Sequence, residues 1–432
     1  MRSVNIGLIG LGTIGRGVYD AIIQNGNMIS RRAGVSLSLK GVCDRDPRAL
    51  KGIDKRHCPV VTDSADELIK DPGIDIIVEL IGGLEPAGDI ILKSISGGKH
   101  VVTANKALLS ARWKEIFEAA SRKGVFVKFE ASVGGGIPVI RSLRESLVAN
   151  RFDKIYGILN GTTNFILSMM ADKGSSFKDA LKTAQEKGIA EADPELDVSG
   201  KDAAHKLSIL SLLGFGVDVP GDSIFTEGIT SIGPQDLRNA SRWGYSVKLL
   251  AIARDSGDGL SLRVHPTLIP SRHLLSGVKG EDNAVFVKGD LVGEALLFGK
   301  GAGRKPTASS VMGDIVEIAG HLANTGRPSP VFPKLNYDPD KKLKDMEDLN
   351  IPFYLRFTVI DKPGVLAGIS SVLSENKISI ASVSQEERKS GKQVPVIILT
   401  HSSREGDLRK AIQKIDSMDF IKARTVVIRI EE

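Results

Sequence analysis

A chain of 432 residues exceeds what one hydrophobic core supports, so two to four domains are expected. With 41% apolar, 25% charged and 5% aromatic residues and 46 glycines, it has the balance of a globular α/β protein rich in tight turns, not of a base-stacking nucleic-acid binder. The net charge of +6 is mild for this length, and Asp338, Asp340, Asp345 and Glu347 flank or interrupt the cluster of Lys341, Lys342 and Lys344, which reads as a solvated segment of mixed charge.

Residues 4–9 form a short apolar run and read as a buried parallel strand, followed by the turn Gly10-Leu11-Gly12-Thr13-Ile14-Gly15 and a helix over 14–25. Further strands are predicted over 37–43, 74–80, 100–103 and 125–130, with helices over 90–96, ended by Gly97-Gly98, and over 113–123. Strands alternating with helices imply right-handed crossovers and a parallel sheet over residues 1–135. After Gly134-Gly135-Gly136 and Pro138 the pattern changes. Helices over 139–149, 177–187 and 201–213, a turn over 160–164 that opens another helix, and strands over 154–159, 260–268 and 284–289 make residues 136–308 an α+β region with a mixed or antiparallel sheet. A second glycine-rich turn spans 299–303, and residues 309–327 read as a helix able to pack back on the first domain. Residues 328–352, rich in Pro, Asp and Lys, read as a linker. From 353 to 432 the order is strand 354–360, helix 364–376, strands 378–384 and 394–400, helix 407–415 and strand 425–430, a ferredoxin-like βαββαβ pattern.

The two cysteines, Cys43 and Cys58, sit in no metal or redox motif, which fits a reducing compartment. No apolar run reaches membrane-spanning length; the run over 74–81 is broken by Asp75 and Glu79. The N-terminal apolar stretch enters a glycine motif that signal cleavage would destroy, so a cytoplasmic protein is expected, with neither membrane nor nucleic acid as partner.

Gly10, Gly12 and Gly15 form G-x-G-x-x-G between a strand and a helix, the fingerprint of a Rossmann-type nucleotide domain. The first glycine allows the turn, the second lets a pyrophosphate approach the backbone, and the third lets helix and strand pack closely. The helix start at Thr13 and Ile14 then offers N–H groups and a positive dipole end to the phosphates. Asp44 ends the second strand, where an acid holds the adenosine ribose hydroxyls and favours NAD, while Arg45, either a solvated loop charge or a partner for a 2′-phosphate, leaves NADP open. Thr103-Ala104-Asn105-Lys106 follows a strand at the ligand-binding edge of the sheet; position alone leaves Lys106 either a surface lysine or a group facing cofactor and substrate. Downstream, Gly188-Ile189-Ala190-Glu191-Ala192-Asp193-Pro194 leads to Asp197, Gly200, Asp202 and Lys206. Asp202 and Lys206 share a helix face at i,i+4 spacing, commonly the mark of a surface ion pair. The apolar stretch over 207–213 argues that this helix is half buried, so Lys206 can sit in a cleft. There, desolvation or a second cation such as Lys106 would lower its pKa and make it a usable general acid/base, and nearby carboxylates would raise it again.

Taken together, G-L-G-T-I-G-R-G at the first turn, T-A-N-K at 103–106, E-A-S-V-G-G-G-I-P at 130–138, N-G-T-T-N-F-I-L at 160–167 and the E-A-D-P…D…G-K-D-A-A-H-K string closely resemble homoserine dehydrogenase. The likeness covers roughly the first three quarters of the chain, and D-K-P-G-V-L-A at 361–367 resembles the first loop and helix of an ACT domain, a small-molecule sensor. The resemblance implies reversible NAD(P)H-dependent reduction of L-aspartate 4-semialdehyde to L-homoserine, on the branch to threonine and methionine. It implies Lys206 as the acid/base, Lys106 near cofactor and substrate, Glu191, Asp202 and Asp197 as substrate carboxylates, and Gly188 and Gly303 as backbone lining the cofactor. It also implies a monovalent-cation site, usually sodium, made of the Glu130 side chain and the carbonyls of Val133, Gly135 and Ile137; oxygen-only ligation suits such a hard ion, and a glycine-rich hinge without an ion is the competing reading. The loop from Asp361 to Gly364, at a helix N-terminus, is expected to take the carboxylate of an amino-acid effector, threonine first, and a homodimer or homotetramer is expected. Ala104 stands where the family varies.

The chemistry is coherent apart from the family. Reducing an aldehyde builds negative charge on its oxygen, which a protonated lysine can stabilise and neutralise. No Cys/His cluster suggests zinc, and an amino-acid substrate explains acids beside the lysine. The alternatives are another amino-acid or semialdehyde oxidoreductase, or a non-catalytic nucleotide-binding sensor.

Overall fold

A computed structural model describes residues 3–325, 338, 340–385 and 392–431. Residues 328–337 and 339 of the expected linker lie outside the described residues. The chain divides into two compact units, one comprising Met1–Phe152, His205–Ser223 and Asn283–Pro339, the other Asp153–Ala204, Ile224–Asp282 and Asp340–Glu432.

In chain order the first segment forms β1 (Ser3–Ile9), α1 (Thr13–Ala33), β2 (Ser36–Cys43), β3 (Val60–Thr62), α2 (Ala65–Lys70), β4 (Ile76–Glu79), α3 (Ala87–Ser96), β5 (His100–Thr103), α4 (Lys106–Lys123), β6 (Val127–Lys128) and a short α5 (Val139–Arg141). The strands pair in parallel in the order β3-β2-β1-β4-β5-β6. The chain reverses its direction across the sheet between β1 and β4, so the ligand crevice of such a sheet lies outside their carboxyl ends, at Gly10 and Leu80. Two elements, β3 and α2, are too short to show periodicity and escape the sequence analysis. The predicted strand over 125–130 shrinks to β6, and the predicted helix over 139–149 gives way after α5 to a π-turn over Ser142–Ser146.

The middle segment forms β7 (Phe152–Ile158), α6 (Gly161–Lys173), α7 (Phe177–Glu186), α8 (Glu195–Val198), α9 (Lys201–Phe215), β8 (Phe225–Thr226), α10 (Pro234–Arg242), β9 (Tyr245–Asp255), β10 (Leu260–Pro270), β11 (Asp282–Gly289) and β12 (Gly293–Lys300). Then come α11 (Arg304–Thr325), β13 (Asn350–Ile351), β14 (Phe353–Ile360), α12 (Val365–Glu375), β15 (Ile380–Ser384), β16 (Gln393–Thr400), β17 (Ser403–Arg404), α13 (Glu405–Asp416) and β18 (Ile421–Ile430). In the first unit, α11 buries Ala308, Val311, Ile315 and Ile318 in one core with Val18 and Ile22 of α1 and with β1.

In the second unit β7, β9 and β10 are antiparallel, and β14, β16, β15 and β18 form the βαββαβ sheet with helices α12 and α13 packed on its core. The two sheets are continuous: β18 pairs in parallel with β10 through Thr267–Arg429 and Leu268–Ile430. The lysine segment read as solvated is instead laid on the β9–β10 turn. The Lys342 carbonyl accepts the Leu260 N–H at 2.8 Å, the Lys344 N–H donates to the Leu260 carbonyl at 2.9 Å, Lys341 pairs with Asp255, and Lys344 pairs with Asp258 at 2.6 Å. Opposite charge on the neighbouring turn, remote in sequence, explains the difference.

Candidate active site

The glycine turn of the first unit has the geometry its spacing predicts. Gly10 sits at φ +94°, and a Cβ there would lie 2.7 Å from the Leu80 carbonyl carbon. A Cβ on Gly15 would lie 1.9 Å from the Gly10 carbonyl oxygen, so only glycine lets α1 start this close to β1. Gly12 is different: no atom lies within 4 Å of where its Cβ would stand, and Gly12 and Thr13 are exposed, with Ile14 half-buried. The first turn of α1, free of acidic residues, therefore offers its N–H groups to open space, which fits a pyrophosphate. Asp44 braces the turn, accepting the N–H of Leu11 at 2.6 Å and that of Asp46 at 2.9 Å, and Arg45 beside it is exposed. Gly303 directly precedes α11, which packs so close to α1 that a Cβ on Gly17 would lie 2.8 Å from the Arg304 carbonyl oxygen; the Arg304 guanidinium pairs with Asp20.

Glu79, visible in the sequence only as a charge interrupting an apolar run, ties the ends of β4 and β5 together. Fully buried, it accepts the N–H groups of Ile81 and Gly82 at 2.7 and 3.1 Å and the Thr103 hydroxyl at 2.7 Å. Thr103 in turn accepts the Asn105 N–H at 3.1 Å, so its side chain is engaged within the protein. Asn105 caps α4 through the Leu108 N–H at 3.2 Å and donates to the Gly83 carbonyl at 2.6 Å, which sets Lys106 at the first position of the helix. Lys206, 9% exposed, stands on α9. The Gly221 N–H donates to Ser110 Oγ at 2.9 Å, and Gly221 packs on His205. Ser110 is one turn beyond Lys106 and His205 adjoins Lys206, so both lysines ride on helices that this contact joins.

The predicted cation loop is buried at Glu130, Val133, Gly135 and Ile137. The Glu130 carboxylate accepts the N–H groups of Ile140 and Arg141 at 2.9 and 2.8 Å, and its own N–H donates to Asp314 at 2.8 Å. Burial pushes the Glu130 carboxyl up and that of Asp314 to about 7. The Gly135 carbonyl accepts the Ser310 hydroxyl at 2.7 Å, and the Ile137 carbonyl the Val139 N–H at 2.8 Å. Each oxygen keeps a lone pair, and a hard cation would offset the cost of burying the Glu130 charge, so the donor set fits one. Among the described residues no group of three or more His, Cys, Asp or Glu side chains could hold a metal.

In the second unit Asn160 does what sequence reasoning did not assign to it. Its Oδ1 caps α6 by accepting the Thr163 N–H at 2.9 Å, while its Nδ2 donates to Asp197 at 2.7 Å and to Asp202 at 2.9 Å. Two carboxylates are thereby held together, Asp202 only 8% exposed, which suits a cationic group such as an ammonium. The polar cap of the N-G-T-T-N turn was the available signal. Glu191 is exposed on the preceding loop, whose carbonyls at Glu191 and Ala192 accept the Gln185 amide at 3.2 and 3.3 Å; Gly188 ends α7 and is also exposed.

In the C-terminal module Asp361, Pro363, Gly364, Leu366, Gln385 and Val396 line a cavity of about 230 Å³. Gly364 opens α12, and Asp361 Oδ2 is buried with no hydrogen-bond partner among the described residues.

Known proteins supply a frame for these sites. Residues 10–130 match the homoserine dehydrogenase NAD binding domain, 138–316 the homoserine dehydrogenase domain and 353–417 the ACT domain. A homoserine dehydrogenase of Pseudomonas aeruginosa is 44% identical over 100% of both chains. The crystal structure of a homoserine dehydrogenase from Thiobacillus denitrificans superposes with a TM-score of 0.93 at 44% identity, covering 100% of this chain and 99% of that one. A hyperthermophilic archaeal homoserine dehydrogenase mutant in complex with NADPH superposes with a TM-score of 0.62 at 28% identity over 73% of this chain and 97% of its own.

Proposed function

The chain belongs to the homoserine dehydrogenase family, and we propose that Lys206 carries the proton transfer of its reaction. It is an NAD(P)-dependent oxidoreductase with a C-terminal ACT domain, reducing L-aspartate 4-semialdehyde reversibly to L-homoserine. The observation that carries the role of Lys206 is its burial on the helix that also bears Asp202, one turn and about 6 Å of rise earlier.

Bound nicotinamide supplies the hydride. Lys206, protonated, stabilises the negative charge developing on the aldehyde oxygen and then gives it the proton; in the reverse direction it takes the proton from the alcohol. Asp202 and Asp197, coupled through Asn160, bind the ammonium of the amino-acid substrate, with exposed Glu191 as a further acid. Lys106 faces cofactor and substrate from the first position of α4. Gly10, Gly12 and Gly15 with the N–H groups of Thr13 and Ile14 hold the pyrophosphate, and Gly188, Thr103 and Gly303 line the cofactor through their backbones. Each Asp44 oxygen accepts one N–H group and keeps a lone pair for the ribose hydroxyls, which suits NAD(H), while exposed Arg45 suits a 2′-phosphate; the NADPH complex of the archaeal relative tips the reading toward NADP(H).

Glu130 and the carbonyls of Val133, Gly135 and Ile137 would hold a monovalent cation, sodium first, which braces the loop between β6 and α5. In the ACT domain the unpartnered Asp361 oxygen suits an effector's ammonium and the start of α12 at Gly364 its carboxylate, with L-threonine the first candidate. A homodimer or homotetramer in the cytoplasm is the setting this reading expects.

Steady-state oxidation of L-homoserine with NADP⁺ and NAD⁺, with and without L-threonine, tests the reading. Lys206→Ala should lower kcat by about 10²–10⁴-fold while fluorescence titration shows cofactor binding retained. Turnover near the wild-type rate in this variant would remove Lys206 from the role.

A further inference from the structure

A chain of contacts within the second unit leads from the ACT domain to Asp197 and Asp202. Arg429 on β18 is 2% exposed, and its guanidinium brackets two carboxylates. Nε and Nη2 donate to Glu405, at the start of α13, at 2.9 and 2.6 Å; Nη1 and Nη2 donate to Glu227 at 2.5 and 3.2 Å. The guanidinium also lies 5.1 Å from the centroid of the Phe225 ring. Glu227 follows β8, its N–H donating to the Val264 carbonyl of β10 at 2.8 Å. The next residue is jammed against α8: a Cβ on Gly228 would lie 2.1 Å from the Val198 carbonyl oxygen, which also accepts the Ile229 N–H at 3.0 Å. Val198 adjoins Asp197, which Asn160 joins to Asp202.

Two acids of different character hold Arg429. Glu405 is buried and pairs with the guanidinium through two bonds while also accepting Arg409 Nε at 3.2 Å, whereas the Glu227 side chain is 42% exposed and would be well solvated elsewhere. What the Glu227–Arg429 pair adds is a fixed position for the 225–229 segment, and hence for α8.

We propose that Glu227 is a positioning residue: held by Arg429, it couples the ACT domain to α8 and so sets the placement of Asp197 and Asp202. The proposal rests on the reading of these two acids as the site of the substrate's amino-acid end. A movement of β18 relative to α13 then reaches the substrate carboxylates, so its effect is read in the binding of the amino acid.

Full-length Glu227→Gln, Arg429→Lys, the double variant and Asp202→Asn are compared by steady-state kinetics and thermal melting. Glu227→Gln should raise KM for L-homoserine about fivefold to tenfold, leaving KM for NADP⁺ and the melting temperature near wild type, and Arg429→Lys should add little on that background. If Arg429→Lys does not fold, Glu227→Gln decides by itself, since Arg429 keeps Glu405. An unchanged KM for L-homoserine, or an equal rise in both KM values, overturns the coupling. If Asp202→Asn raises KM for L-homoserine while Glu227→Gln does not, the coupling alone falls. If Asp202→Asn leaves it unchanged, the reading of the acids falls and the proposal with it.

Discussion

At position 100 a histidine only 5% exposed accepts the Phe126 N–H on its Nδ1 at 2.9 Å, so protonation would set a donor against a donor. Burial lowers its pKa from 6.5 to about 4. Between those values the unfolded chain takes up a proton that the folded chain refuses, so the stability contributed here is full above pH 6.5 and is lost as pH falls toward 4. Asparagine offers an acceptor oxygen in the place of Nδ1 and does not titrate. His100→Asn should therefore flatten the fall of melting temperature between pH 6.5 and 4.5, and parallel slopes for the two proteins would refute this account. The same scale shows why Glu79 and Asn160 are hard to read in a sequence. Each is an ordinary polar residue whose meaning comes from partners: Thr103 lies 24 positions from Glu79, and Asp202 lies 42 from Asn160.

Among the elements, the β1–α1 unit separates steric from ligand demands on glycine. Gly15 meets the Gly10 carbonyl where a Cβ would go, whereas Gly12 faces open space at φ −62°, an angle any residue adopts. Gly15→Ala should thus lower the melting temperature by forcing α1 away from β1. Gly12→Ala should leave it within a degree or so and raise KM for the cofactor about tenfold or more, because the methyl occupies the path of the pyrophosphate. Equal melting losses in both variants would contradict this division. The helix pair α4 and α9 makes a related point: apolar spacing marks α9 and only the 113–123 part of α4, whose start at Lys106 it misses, and the bond from Gly221, packed on His205 of α9, to Ser110 of α4 spans 111 residues and leaves no local trace.

On the scale of the whole molecule, the last strand does most to unify the second unit. β18 lies between β10 and β14, and Glu431 just beyond it is buried, accepting hydrogen bonds from Tyr156 at 2.8 Å, from Arg254 at 3.2 Å and from Arg263. A βαββαβ pattern by itself suggests a module that folds alone, yet this one shares its edge and its buried charges with the central sheet. Removing one member of a buried ion pair costs about 3–5 kcal/mol, so Glu431→Gln should lower the melting temperature by several degrees. Hydrogen exchange should then accelerate in β10 and β14 together. Protection lost in β14 alone would mean that the ACT domain unfolds independently.

The amino-acid sequence by itself determined the parallel nucleotide-binding sheet, the glycine turn, the acidic string ahead of Lys206 and the βαββαβ module, because each is written in turn residues and in periods of two or 3.6 within some fifteen neighbours. Three-residue β3 and the π-turn after α5 escaped it, since neither is long enough to show a period. Only the tertiary structure decided which two acids Asn160 would hold, where Glu227 would meet Arg429 and that Tyr156 would bond to Glu431, 275 residues away. Burial leaves such polar groups no water to turn to, so their partners are chosen by whichever strands and helices the packing of apolar side chains brings alongside, and that choice belongs to the whole chain at once.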